Sequence, residues 1–153
     1  MPTVSPAVGS RIALTVAALS PLALPDLPVE IGYRLAERLF DAHHLWTEVP
    51  APSVALSEPS FSLQERFDGL RPYWREPTWI NSAWLSCRGI VPLGCEQEAA
   101  TLARAITETV VGEGLRELYD PHDGRGMGAH ELAWSALQFL DAADATAGVP
   151  ASG

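Results

Sequence analysis

Cysteine, basic charge and long apolar runs are all scarce in this sequence, and each shortage removes a class of explanation. The 153 residues include two cysteines, Cys87 and Cys95, too few for a disulfide scaffold. Their spacing matches no zinc pattern, because a structural zinc needs four ligands and no second Cys/His cluster is present. Both are expected as reduced, buried thiols in a cytoplasmic protein. Ten basic residues stand against nineteen acidic ones, a net charge of −9, and they are dispersed along the chain. No basic face is available for nucleic acid. The most apolar run, IALTVAALSPLAL at 12–24, is too short for a bilayer, which takes about 20 residues. Ser20-Pro21 interrupts it, and Arg11 is its one preceding basic residue, so a buried segment is a better reading than a cleaved signal. Period-two alternation is missing as well, so no strand is expected.

What is present is helical. The length suits one domain with a proper core, and a 47% hydrophobic content excludes a disordered chain. Pro28 opens a helix expected over 28–41, with Val29, Ile31, Leu35 and Leu39 on one face. Residues 42–76 are proline-rich and have no period, a long connection of the kind that is usually functional. Thr78 is placed to cap a helix over about 78–91, and a second helix covers about 95–112. The Pro92/Gly94 turn between them predicts an antiparallel helix pair. Leu132, Leu137, Phe139 and Leu140 mark a last helix at about 130–145. The fold class is therefore all-α. Residues 1–17 read as a poorly ordered or divergent N-terminus, 18–147 as one helical unit and 148–153 as a tail.

Two stretches carry chemistry. The first, YWREPTWINSAW at 73–84, gathers three of the five tryptophans within eleven residues. Trp84 reads as core packing. Tyr73, Trp74 and Trp79 read as a binding wall, with Arg75 and Asn81 as polar partners. Aromatic faces beside a few fixed donors suit a sugar, whose C–H faces are apolar and whose hydroxyls need hydrogen bonds. The second, LRELYDPHD at 115–123, runs into GRGMG at 124–128. Glu117 follows the helix-ending Gly112/Gly114 pair, and Tyr119 shares its side if the stretch is extended. Asp120-Pro121 and Asp123-Gly124 read as turns. The glycine run reads as a flexible turn rather than a phosphate loop, since no strand precedes it. His122 and His130 are expected at the surface. His43 and His44 adjoin Trp46 and are placed to line a site.

YWREPTWINSAWL, then ELYDP, a glycine-alternating turn and a helix bearing Trp134, together resemble the C-terminal part of the mannosylglycerate/glucosylglycerate hydrolase-like enzymes. These are glycoside hydrolases of family 63, related to trehalases. LPDLP and LWTEVPAPSVAL fit the same order, so the resemblance runs from about 18 to 145. Glu76 stands where the family usually has glycine, Ala83 where it has asparagine, and LAW-S where it has FSW-T. The resemblance implies part of an (α/α)6 toroid of antiparallel helix hairpins, with its site in the central cup. It implies inversion at the anomeric centre of a small α-glycoside, with no cofactor and no metal. Glu117 would be the water-activating base, and Tyr73, Trp74, Arg75, Trp79, Asn81, Tyr119 and Trp134 the substrate-binding set. The family's acid is an aspartate upstream of YWR. Here Asp26 and Asp41, both attached to the 28–41 helix, and Asp68, inside the 42–76 connection, precede that cluster. None sits in an earlier hairpin, so the chain is expected to carry the base and lack the acid. The expected partners are a small carbohydrate and either upstream hairpins or a second copy, with no nucleic acid and no membrane. Two other readings stand beside this one: a non-catalytic carbohydrate-binding helical module or decayed paralogue, and a purely structural scaffold.

Overall fold

The computed structural model describes residues 16–59, 61, 77–133 and 135–136. Three α-helices dominate them: α1 at Val29–Leu39, α2 at Ile80–Ile90 and α3 at Glu96–Glu113. A 3-10 segment at Val16–Ala23 precedes α1, and a short one at Val91–Leu93 turns α2 into α3. Two strands follow, β1 at Arg116–Tyr119 and β2 at Gly126–His130. They pair antiparallel as a two-stranded hairpin.

The apolar run near the N-terminus is buried where it is described, Leu19 and Leu22 being 2% and 4% exposed. It lies so close to α2 that a Cβ on Gly89 would meet the backbone carbonyl carbon of Leu22 at 2.8 Å. Pro28 stands at the N-cap of α1, and Glu30 and Arg38 at its two ends suit the helix dipole. The buried face of α1 is Gly32, Ala36 and Leu39. Sequence periodicity put Val29 and Ile31 on that face, yet they are 48% and 47% exposed. The small residues decide it: Gly32 admits Leu93, which a Cβ there would meet at 2.7 Å, so the helix turns its Gly/Ala edge inward. No described helix is long and apolar enough to cross a membrane.

The expected helix pair is present. Ile80, Ala83, Cys87 and Ile90 of α2 join Ala99, Leu102, Ala103 and Ile106 of α3 in one core. The Cys87 thiol donates to the Ala99 carbonyl at 3.3 Å. Cys95 is only half-buried, in contrast to the expected buried pair of thiols. Its thiol is pushed up from the ordinary range by partial burial and then by the charges of Glu98 and Glu96. Thr78 does not cap α2. Trp79 holds the N-cap position, and the Thr78 hydroxyl donates instead to the Val49 carbonyl at 2.7 Å.

That hydroxyl belongs to the device that organises the site. Thr78 forms backbone bridges with Pro52 on one side and Tyr119 on the other. Tyr119 and Thr78 exchange amide-to-carbonyl bonds, both 2.9 Å. The irregular 45–55 segment is therefore core rather than loose connection, with Leu45, Val49, Ala51, Val54 and Ala55 all buried. The β hairpin corrects the all-α expectation. Residues 133, 135 and 136 are helical, and the remainder of the last expected helix lies outside the described residues.

Candidate functional site

β1 alternates half-buried and buried positions, so Glu117 and Tyr119 share its inner face. They do different things there. Tyr119 is fully buried, and its hydroxyl donates to the Gly114 carbonyl at 2.6 Å and accepts the Arg116 amide at 2.9 Å. It closes the turn from α3 into β1, which leaves its hydroxyl committed to the backbone rather than offered to a substrate. Burial pushes the phenol above its ordinary value, partly opposed by the Arg116 amide and charge.

Glu117 is 6% exposed, one of two buried carboxylates among the described residues. Its Oε2 accepts the Ala129 amide at 2.9 Å. The hairpin register explains that amide. Arg116 faces His130 and Leu118 faces Met127, so Glu117 alone stands opposite Gly128 and Ala129. The extra residue is a β-bulge in β2, with Gly128 in the left-handed region at φ 67°. A bulge takes amides out of the ladder, and here the side chain across the strand takes one of them.

The other buried carboxylate, Asp120, makes the turn. Its Oδ1 accepts the His122 amide at 2.9 Å, and Oδ2 lies 3.7 Å from Arg125 Nη2. Asp123 accepts the Arg125 amide at 2.9 Å, the turn chemistry that the sequence indicates. The glycine run is not simply a flexible turn, because Gly126 and Gly128 lie inside β2. Gly126 lets the Arg116 side chain lie across the strand, and its amide donates to Glu113 Oε2 at 2.9 Å. His122 and His130 are exposed, as expected, and the ring nitrogens of His130 lie 2.8 and 3.0 Å from Arg116 Nη1.

The antiparallel Thr78–Tyr119 bridge carries Trp79 and Glu117 to the same end of that pair. Trp79 is 2% exposed, so within the described residues it is packed rather than displayed. Asn81 is half-buried in the first turn of α2, and its Oδ1 accepts the Ser82 amide at 2.9 Å. Trp84 packs against the core, as read from the sequence. Tyr73, Trp74, Arg75, Glu76 and Trp134 lie outside the described residues. The 43–44 histidines go elsewhere: His43 is exposed, and His44 Nδ1 sits 2.6 Å from the Ser57 hydroxyl, tying down the following loop. No group of three His, Cys, Asp or Glu among the described residues has a metal-binding arrangement.

A separate cleft of about 690 Å³ opens between Trp46–Pro50, the outer side of α3 and the Asp123-Gly124 turn. Glu117 and Trp79 do not line it. Sequence reasoning missed the bulge, Gly128 and Ala129. The alternate-glycine spacing of GRGMG was the available signal, since glycine inside a strand marks a close approach.

A family model for the mannosylglycerate hydrolase MGH1-like glycoside hydrolase domain matches residues 5–135. A mannosylglycerate hydrolase of Thermus thermophilus is 41% identical over 68 residues, 44% of this chain and 16% of that protein. A family 63 mannosylglycerate hydrolase from a second strain of Thermus thermophilus, solved with glucose, superposes with a TM-score of 0.68 at 29% identity, over 85% of this chain and 32% of that one. Its structure with Tris and D-glycerate gives 0.71 at 29% identity, over 84% and 30%. The chain thus spans about a third of the solved relatives' length. With a match over most of its residues, the chain belongs to the mannosylglycerate hydrolase MGH1-like glycoside hydrolase family.

Proposed function

We propose that this chain is the base-bearing portion of an inverting hydrolase of small α-glycosides, with Glu117 as the general base. The observation that carries the reading is one buried carboxylate held by a backbone amide at a strand bulge, inside the ELYDP motif. A general base must be held within reach of its water, and an amide bond to one oxygen fixes the carboxylate's orientation. Inversion divides the work between this base and a protonated carboxyl roughly 6.5–9.5 Å away across the sugar. Asp120 is committed to the turn rather than placed as the acid, since its carboxylate accepts the His122 amide and lies 3.7 Å from the Arg125 guanidinium. We therefore assign the acid to upstream hairpins of the toroid, supplied in cis or in trans. The solved relatives include complexes with glucose and with D-glycerate, which supports glucosylglycerate or mannosylglycerate as the substrate type.

In this mechanism Glu117 takes a proton from water as the oxygen attacks the anomeric carbon, while the acid protonates the leaving glycerate oxygen. Tyr73, Trp74, Arg75, Asn81 and Trp134 are the proposed sugar contacts, and Trp79, which is buried, is assigned a packing role. Incubating the chain with the upstream hairpins of a family member and α-glucosylglycerate should release glycerate, and Glu117→Gln should abolish that release. Equal release by the variant would sink the assignment. The non-catalytic module remains the second reading, favoured by Glu76 in place of the usual glycine. Sugar binding without turnover by the reconstituted protein would support it.

A further inference from the structure

We propose that Gly128 and the peptide group joining it to Ala129 are the positioning device for the Glu117 carboxylate; this rests on reading Glu117 as the base. The peptide is gripped at both ends by neighbouring side chains of β1. Its carbonyl, on Gly128, accepts Arg116 Nη2 at 3.3 Å, and its N–H, on Ala129, donates to Glu117 Oε2 at 2.9 Å. A guanidinium on the oxygen polarises the amide and strengthens the N–H as a donor, and the acceptor is itself a carboxylate. One rigid plane therefore links the cation of Arg116 to the base.

Gly128 makes this approach possible for two separable reasons. Its φ of 67° suits glycine, and a Cβ there would meet Glu117 Oε2 at 2.5 Å and Glu117 Cβ at 2.8 Å. The second reason is the functional one. Any side chain at 128 pushes the carboxylate off the Ala129 amide, whatever its tolerance for the left-handed region. Asparagine separates the two, since it visits that region more readily than other residues yet still carries a Cβ.

The test is an amide-resolved pH titration of the 153-residue chain by NMR. In the wild type, the Ala129 amide resonance should move with one carboxyl protonation step. Glu117→Gln should remove that step while leaving any movement due to the adjacent His130. Gly128→Ala and Gly128→Asn should both lose it. A wild-type Ala129 resonance with no carboxyl step, or one that persists in Glu117→Gln, would overturn the proposal. So would Gly128→Asn retaining the step, because conformational freedom alone would then explain the glycine. If Gly128→Ala fails to fold, the wild type, Glu117→Gln and Gly128→Asn still decide. None of these readouts depends on turnover, so a failure here is distinct from a failure of Glu117 as the base.

Discussion

The helix pair α2/α3 and the strand pair β1/β2 are both hairpins, but they are held together by different physics. The helix pair buries aliphatic and small side chains, with one thiol–carbonyl bond across it. The strand pair buries Tyr119 and Met127, and otherwise depends on named polar contacts: Glu113 to the Gly126 amide, Glu117 to the Ala129 amide and Asp120 to the turn. Nondirectional burial tolerates substitution in proportion to volume. Directional bonds depend on the geometry of one donor and one acceptor, so they fail singly when either partner is changed. Stability should therefore be lost mostly through the first hairpin and activity mostly through the second.

The largest effect should come from Glu117→Gln, which breaks the second hairpin's chemistry while keeping its shape. In enzyme reconstituted with upstream hairpins, turnover should fall by about 10²–10⁴-fold, the usual contribution of a general base. Steady-state kinetics and a thermal melt of the same preparation check that activity falls without a matching loss of Tm. The reverse behaviour is expected of Leu102→Ala. Leu102 is completely buried in the helix-pair core, and its truncation should lower unfolding free energy by about 2–5 kcal/mol in denaturant titrations.

Tyr119→Phe sharpens the contrast, since it keeps the buried ring and deletes one hydroxyl. The Gly114 carbonyl and the Arg116 amide lose their partner, a loss of about 1–3 kcal/mol. The pH dependence has a definite sign. The folded phenol is raised above its ordinary 10.0, so stability is full below that pH. As the pH rises past it, the unfolded chain ionises while the folded chain keeps its proton, and stability falls. Melts in alkaline buffer should show this fall in the wild type and its reduction in Tyr119→Phe. Arg125→Ala should do least. Its guanidinium is 3.7 Å from Asp120 but its side chain is 58% exposed, and such a pair is worth less than about 1 kcal/mol.

The same contrast explains what could be read from the sequence. Apolar spacing located α1, α2 and α3 to within two residues at each end, because each helix buries one face and the period records it. The face of α1 came out rotated, since the pattern counts Val29 and Ile31 but gives no weight to Gly32 and Ala36, whose smallness admits the neighbouring elements. Beyond the Asp123-Gly124 turn and the glycine spacing, little in the local sequence announces the β hairpin. RELY and GMGAH contain no β-branched residue, and two of the five residues of β2 are glycine. It forms because Thr78 bridges Tyr119 and because carboxylates from α3 and β1 take the β2 amides, contacts that no window of sequence displays. The candidate base was legible as a motif. Its surroundings were not: Tyr119 looked like a ligand contact because an exposed and a buried tyrosine are written alike.

The central claim is that Glu117 activates water on the face of the sugar opposite the leaving group. The most direct measurement follows the anomer released first from α-glucosylglycerate by the reconstituted enzyme, recorded by proton NMR before mutarotation. An inverting base at Glu117 predicts β-glucose as the initial product, and its loss in Glu117→Gln. Initial α-glucose would contradict the account, because retention requires a covalent glycosyl-enzyme and a different role for this carboxylate.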